Sequence, residues 1–240
     1  MKRLFDKNEL MFSLVWIGAY VVLLSLADSL SSQLGIEKII TAPLCVLMTA
    51  VLLIFVKRSG LMAYCGLKKG NLSPGKWLYF VPLILLVSTN LWGGVALNMS
   101  VPETVLYILS MLCVGFLEEV IFRGLLFNAL RKENLVRAVV ISSLTFGIGH
   151  IVNLLNGAEV TETLLQIVYA TAAGFLFTVI FLCSGSLLPC IITHSAVNSF
   201  SAVAGQRSAG LDMAAAAMLT VVSIAYGLWI LKKHPPEKQE

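Results

Sequence analysis

Long apolar stretches recur along the whole chain, and they constrain its fold more than any other feature. Each has few charges and about 20 residues, the length that an α-helix needs to cross a bilayer. Lipid offers the backbone no hydrogen-bonding partner, so we expect helices and not open strands. The expected spans are residues 10–28, 39–56, 77–98, 104–130, 137–155, 163–183, 186–204 and 212–231.

The composition agrees with a membrane protein. Of the 240 residues, 58% are hydrophobic and 12% are charged, which lies outside the usual range of soluble domains. We therefore predict an all-α polytopic membrane protein, with residues 1–240 forming a single transmembrane domain of about eight transmembrane helices. Residues 232–240 are expected to form a cytoplasmic tail. The basic residues lie mostly between apolar segments, so the net charge of +4 is attributed to membrane topology, with no nucleic-acid partner.

The positions of Lys and Arg predict how the chain is oriented. With eight spans, 14 of the 17 basic residues fall on one side, whereas only Lys38 and Arg207 fall on the other. Cytoplasmic loops are enriched in Lys and Arg, so both termini are expected in the cytoplasm. The uncharged run from Leu10 to Ala27 exceeds the core of a usual signal peptide, and we interpret it as an uncleaved anchor.

A few ionisable side chains interrupt the predicted spans. Glu118, Glu119 and Arg123 lie in the fourth span, His150 in the fifth and His194 in the seventh. Such groups are costly inside a bilayer and usually mark a functional site. Glu119 and Arg123 are four residues apart, so on a helix they share a face and are predicted to pair. Glu118 points about 100° further round the helix and stays free for another role.

The two histidines leave several interpretations open. Either one can simply form a hydrogen bond between packed helices. Asn198 follows His194 by one helical turn and faces the same direction. Together, two histidines, a free carboxylate and an amide can activate a water molecule and stabilise an oxyanion. Glu118, His150 and His194 also match a metal site of two histidines and one carboxylate, so they are candidate zinc ligands.

These residues form three motifs in a fixed order. The motifs are EExxxR at Glu118, Glu119 and Arg123, FxxxH at Phe146 and His150, and HxxxN at His194 and Asn198. The ordered set resembles the CPBP family of CAAX proteases and bacteriocin-processing enzymes, also called the ABI or type II CAAX endopeptidase family. The resemblance extends over about residues 104–204, which we interpret as the catalytic core.

The resemblance implies an intramembrane endopeptidase. Glu118, with His150, would activate a water molecule, and His194 with Asn198 would stabilise the oxyanion. Glu119, Arg123 and Phe146 would support the site. Family members are described both as metalloproteases and as glutamate peptidases; we favour a glutamate-activated water, with zinc as the open alternative.

The substrate and setting are predicted only in outline. The resemblance implies a membrane-associated peptide or protein substrate in contact with the lipid bilayer. The compact chain is similar to bacterial members linked to bacteriocin processing, immunity or peptide signalling, which implies a bacterial cell membrane. Two other functions stay open: a non-catalytic immunity or scaffold protein on the same fold, and an ion- or proton-coupled transporter that uses intramembrane Glu and His.

Overall fold

The computed structural model describes residues 1–70 and 80–233, and the predicted all-α fold is confirmed there. The residues that it describes contain no strand, only one isolated bridge between Val95 and Ala204. The α-helices are α1 (Lys2–Lys7), α2 (Glu9–Gln33), α3 (Thr41–Arg58), α4 (Val81–Ser88), α5 (Val101–Glu119), α6 (Asn128–Leu130), α7 (Leu135–Gly149), α8 (Val160–Ser184), α9 (Leu188–Phe200) and α10 (Ala209–Lys233).

Six helical stretches in the described ranges are long and apolar enough to cross a membrane, where eight had been predicted. They are Glu9–Gln33, Thr41–Arg58, Val101–Leu130, Leu135–Asn156, Val160–Ser184 and Ala209–Lys233. Within the described residues, the predicted third and seventh spans contain the short helices α4 and α9, each of which is followed by a 3₁₀ turn. Residues 77–79 of the third span and 234–240 of the tail lie outside the described residues.

Large apolar side chains cover much of the outer surface of the helices. Leu155 is 84% exposed, Ile84 is 74% exposed and Val136 is 72% exposed. Lipid tails are as apolar as these side chains, so exposing them costs little inside a bilayer. This surface identifies an integral membrane protein.

The predicted fourth span is not a regular α-helix throughout. After Glu119 the backbone widens into a π-helix over Val120–Phe127, in which every residue is buried, before α6 resumes the α-helical geometry. The Asn128 side chain donates hydrogen bonds to the carbonyl oxygens of Gly124, at 2.9 Å, and Tyr64, at 2.6 Å. Widened turns of this kind occur frequently at functional sites. This one follows directly after the two glutamates.

Two glycines allow the helices that carry the motifs to approach each other closely. A Cβ atom on Gly115 of α5 would lie 2.6 Å from the backbone nitrogen of Ser195 in α9. A Cβ atom on Gly147 of α7 would lie 2.8 Å from the carbonyl oxygen of Ile167 in α8. Neither position has room for a larger residue. The contact at Gly115 brings the glutamates of α5 next to α9.

Candidate active site

The four residues predicted to be catalytic line one cavity of about 650 Å³. Glu118 is in α5, His150 begins the 3₁₀ segment after α7, and His194 and Asn198 are in α9. Three separate parts of the chain therefore contribute to one polar wall. Their catalytic roles stay predictions, but the structure does bring the four side chains to the same cavity.

Two polar side chains, Tyr20 and His194, lie next to the Glu118 carboxyl group. The Tyr20 hydroxyl, from α2, donates a hydrogen bond to Glu118 Oε1 at 2.5 Å. Glu118 Oε2 faces His194 Nε2 at 3.5 Å. Tyr20 belongs to none of the three motifs, and its only signal in the sequence is a weak one, a hydroxyl within an apolar run.

The ion pair predicted from the spacing of Glu119 and Arg123 is present. An Arg123 guanidinium nitrogen lies 3.0 Å from Glu119 Oε1, and both side chains are fully buried. The same oxygen lies 2.9 Å from His194 Nδ1. A carboxylate only accepts hydrogen bonds, so the Nδ1 proton is the one donated to Glu119. His194 Nε2 is left to face Glu118.

Phe146 lies between both histidines and the ion pair. Its ring is edge-on to the rings of His150 and His194, with centroid distances of 5.3 and 5.6 Å. The Arg123 guanidinium lies over the same ring at 4.0 Å, within the range of a cation–π contact. One buried aromatic ring therefore contacts three of the motif residues.

His150 is oriented by its own helix. Its Nδ1 lies 3.1 Å from the carbonyl oxygen of Phe146, which can only accept a hydrogen bond. The proton on Nδ1 is therefore donated to the backbone, and Nε2 is the nitrogen left for chemistry. In both histidines, Nδ1 donates a hydrogen bond to an oxygen atom of the protein. Nε2 is therefore the nitrogen that can contact a water molecule or a substrate.

The candidate zinc ligands are not arranged as a metal site. Among the residues that the structure describes, no three His, Cys, Asp or Glu side chains form a group that could hold a metal ion. Glu118 Oε2 and His194 Nε2 lie 3.5 Å apart, and His150 lines the same cavity. We therefore derive no chemical step through a metal.

The comparison with protein families concerns the segment that carries these motifs. Residues 100–200 match the family model described as type II CAAX prenyl endopeptidase Rce1-like. The predicted resemblance to the CPBP family is confirmed over this Rce1-like segment. No match was found among curated proteins or among solved structures. The Rce1-like segment contains the three motifs, whereas Tyr20 comes from α2, outside it.

Proposed function

We propose that this protein is an intramembrane endopeptidase that cleaves membrane-associated peptides or proteins with a water molecule activated by Glu118. The position of Glu118 carries the proposal: its carboxyl group is held by Tyr20 and faces His194 in a cavity that also contains His150 and Asn198. The match of residues 100–200 to endopeptidases supports a protease in general.

Glu118 is the proposed general base. It accepts a proton from the water molecule as the water oxygen attacks the carbonyl carbon of the scissile peptide bond. His150 lines the same cavity and orients this water through Nε2. The tetrahedral intermediate collapses when the carbon–nitrogen bond breaks, and Glu118 returns the proton to the leaving amine.

His194 and Asn198 are the proposed donors to the oxyanion. Because His194 Nδ1 is bonded to Glu119, donation towards the cavity comes from Nε2 of the imidazolium form. The Glu119 carboxyl group, which contacts both the His194 imidazole and the buried Arg123 guanidinium, stabilises that cation. Asn198 follows one helical turn later and supplies an amide N–H.

Purified protein tests this proposal directly. In detergent, the wild type should cleave members of a quenched fluorescent peptide library, whereas His150→Ala and His194→Ala should be inactive but folded. His234→Ala, which changes the third histidine of the chain, is the control and should keep wild-type activity. Unchanged cleavage by His194→Ala would contradict the proposal. An immunity or scaffold protein, or a transporter, would cleave nothing.

Tyr20 is proposed to position Glu118, and its hydroxyl can be tested alone. Tyr20→Phe removes one hydrogen bond of roughly 1 kcal/mol, so we expect kcat to fall about fivefold to tenfold while KM stays the same. Tyr169→Phe is the matched control because Tyr169 lines the same cavity, and it should leave both constants unchanged. A rise in KM with constant kcat would instead place Tyr20 in substrate binding.

We also propose that the chain crosses the membrane eight times, with one crossing at α4 and one at α9 in addition to the six long helical stretches. The first of these two crossings lies in the region between α3 and α5. The Tyr64 hydroxyl donates to Glu9 at 2.8 Å, and Lys132 pairs with Glu9 at 2.6 Å, so the end of α6 lies beside the start of α2. At the other end of α2, the backbone N–H of Glu37 donates to Glu103 at 3.1 Å, beside the start of α5. These contacts favour a crossing between Tyr64 and Glu103, where α4 lies.

Contacts at both ends of α9 support the remaining crossing. The Ser186 hydroxyl, before α9, donates to the carbonyl oxygen of Lys68 at 2.7 Å. The Ser201 hydroxyl, after α9, lies 3.1 Å from the hydroxyl of Tyr107, near the start of α5. With eight crossings both termini lie on the side rich in Lys and Arg, which is the cytoplasmic side by the positive-inside rule.

A further inference from the structure

The cavity extends from the candidate active site towards one end of the helices only. Its rim includes Asp28 near the end of α2, Lys38 in the following connection, Asn156 between α7 and α8, and Glu162 in the first turn of α8. At the opposite end, no described residue of α1, of residues 59–70, of α6 or of residues 185–187 lines it. The cavity therefore extends towards one face of the membrane and not towards the other.

The opposite end is closed by packed side chains. The π-helix Val120–Phe127 follows the glutamates and is buried along its whole length. Leu125 and Phe127 within it have no exposed surface. These residues separate Glu118 from Lys132, which follows α6 and pairs with Glu9.

The position of Tyr20 along α2 gives the depth of the site. Tyr20 follows Glu9 by 11 residues, or about 16 Å at the rise of an α-helix, and Asp28 lies about 12 Å further along. The hydrocarbon layer is about 30 Å thick. Glu118, which contacts Tyr20, is therefore near the middle of the membrane, and the cavity connects it to the end of α2 that Asp28 marks.

The rim of the cavity lies on the side with few basic residues. Of the 17 Lys and Arg residues, only Lys38 and Arg207 belong to connections at that end. Lys38 is itself paired with Asp28 at 2.8 Å. The charge pattern that assigns the other end to the cytoplasm therefore assigns the rim to the opposite side.

We infer that the active-site cavity opens to the extracytoplasmic side of the membrane, and that the substrate is a peptide segment exposed on that side, such as part of an exported or outer-leaflet-anchored polypeptide. The inference rests on the proposed peptidase function and on the proposed orientation. At the cytoplasmic end, no residue that the structure describes in α1, in residues 59–70, in α6 or in residues 185–187 lines the cavity.

Cysteine labelling tests the direction of the cavity without requiring activity. Ser25→Cys places a thiol inside the cavity and Asn156→Cys places one at its rim, whereas Glu133→Cys places one on the opposite, basic side. A membrane-impermeant maleimide should label Ser25→Cys and Asn156→Cys in intact cells, and Glu133→Cys only after permeabilisation. The unmodified protein, with its five native cysteines, gives the background. Labelling of Ser25→Cys only after permeabilisation would overturn the inference.

Oriented vesicles test the side from which the substrate enters. A membrane-impermeant quenched peptide that the detergent-solubilised protein cleaves should be cleaved by right-side-out vesicles, and by inside-out vesicles only after detergent is added. Cleavage by intact inside-out vesicles alone would overturn the inference. If the solubilised protein cleaves no peptide, the proposed function fails, and cysteine labelling still determines the direction of the cavity.

Discussion

Glu118→Gln should abolish peptide cleavage while the protein stays folded. The amide keeps the shape of the side chain and can still accept the hydrogen bond from Tyr20, but it cannot take a proton from water. Loss of a general base lowers kcat by about 10²-fold to 10⁴-fold. Initial rates on a quenched peptide, with thermal unfolding in detergent recorded in parallel, measure this effect.

Glu162→Gln is the matched control for this variant. Glu162 lines the same cavity but is exposed, and it belongs to none of the three motifs. The same change of charge there should leave kcat close to the wild-type value. Wild-type activity in Glu118→Gln would remove Glu118 from the reaction, and equal losses in both variants would point to a general effect of charge in the cavity.

Arg123→Met should strongly destabilise the fold. The substitution removes the arginine partner of the fully buried Glu119 and leaves only its contact with His194, and removing one member of a buried pair costs about 3–5 kcal/mol. It also removes the guanidinium that lies over Phe146. We expect a low yield of monodisperse protein and a clearly lower Tm in detergent.

A double variant separates this charge effect from lost packing. In Glu119→Gln with Arg123→Met neither residue carries a charge, so much of the stability should return. Lys132→Met is the control because Lys132 pairs with Glu9 in an exposed position, where an ion pair contributes about 0–1 kcal/mol. An Arg123→Met protein as stable as the wild type would contradict a supporting role for the pair.

The sequence predicts the helical class of this fold well because the bilayer requires long apolar helices. It predicts less well where helices are short or irregular. The predicted seventh span contains α9, which is only 13 residues long and is followed by a 3₁₀ turn. The π-helix Val120–Phe127 has no counterpart in the regular periodicity that we assumed. Such departures depend on tertiary contacts, such as the Asn128 hydrogen bond to Tyr64.

Local spacing also limits what could be predicted at the site. The pair of Glu119 and Arg123 follows from a separation of four residues on one helix. The contact between Glu119 and His194 joins residues 75 positions apart, and that between Tyr20 and Glu118 joins residues 98 positions apart. No periodic pattern links such distant residues. Those two contacts, which fix the carboxylate and the imidazole, required the three-dimensional structure.

The most direct test of a glutamate-dependent intramembrane peptidase is one assay of the purified wild type. Peptide cleavage is measured with and without a metal chelator, and bound metal is quantified in the same preparation. We predict cleavage that the chelator does not reduce, without a stoichiometric amount of zinc. Cleavage that stops with the chelator and returns with zinc would contradict the glutamate mechanism, and no cleavage of any peptide would contradict the peptidase itself.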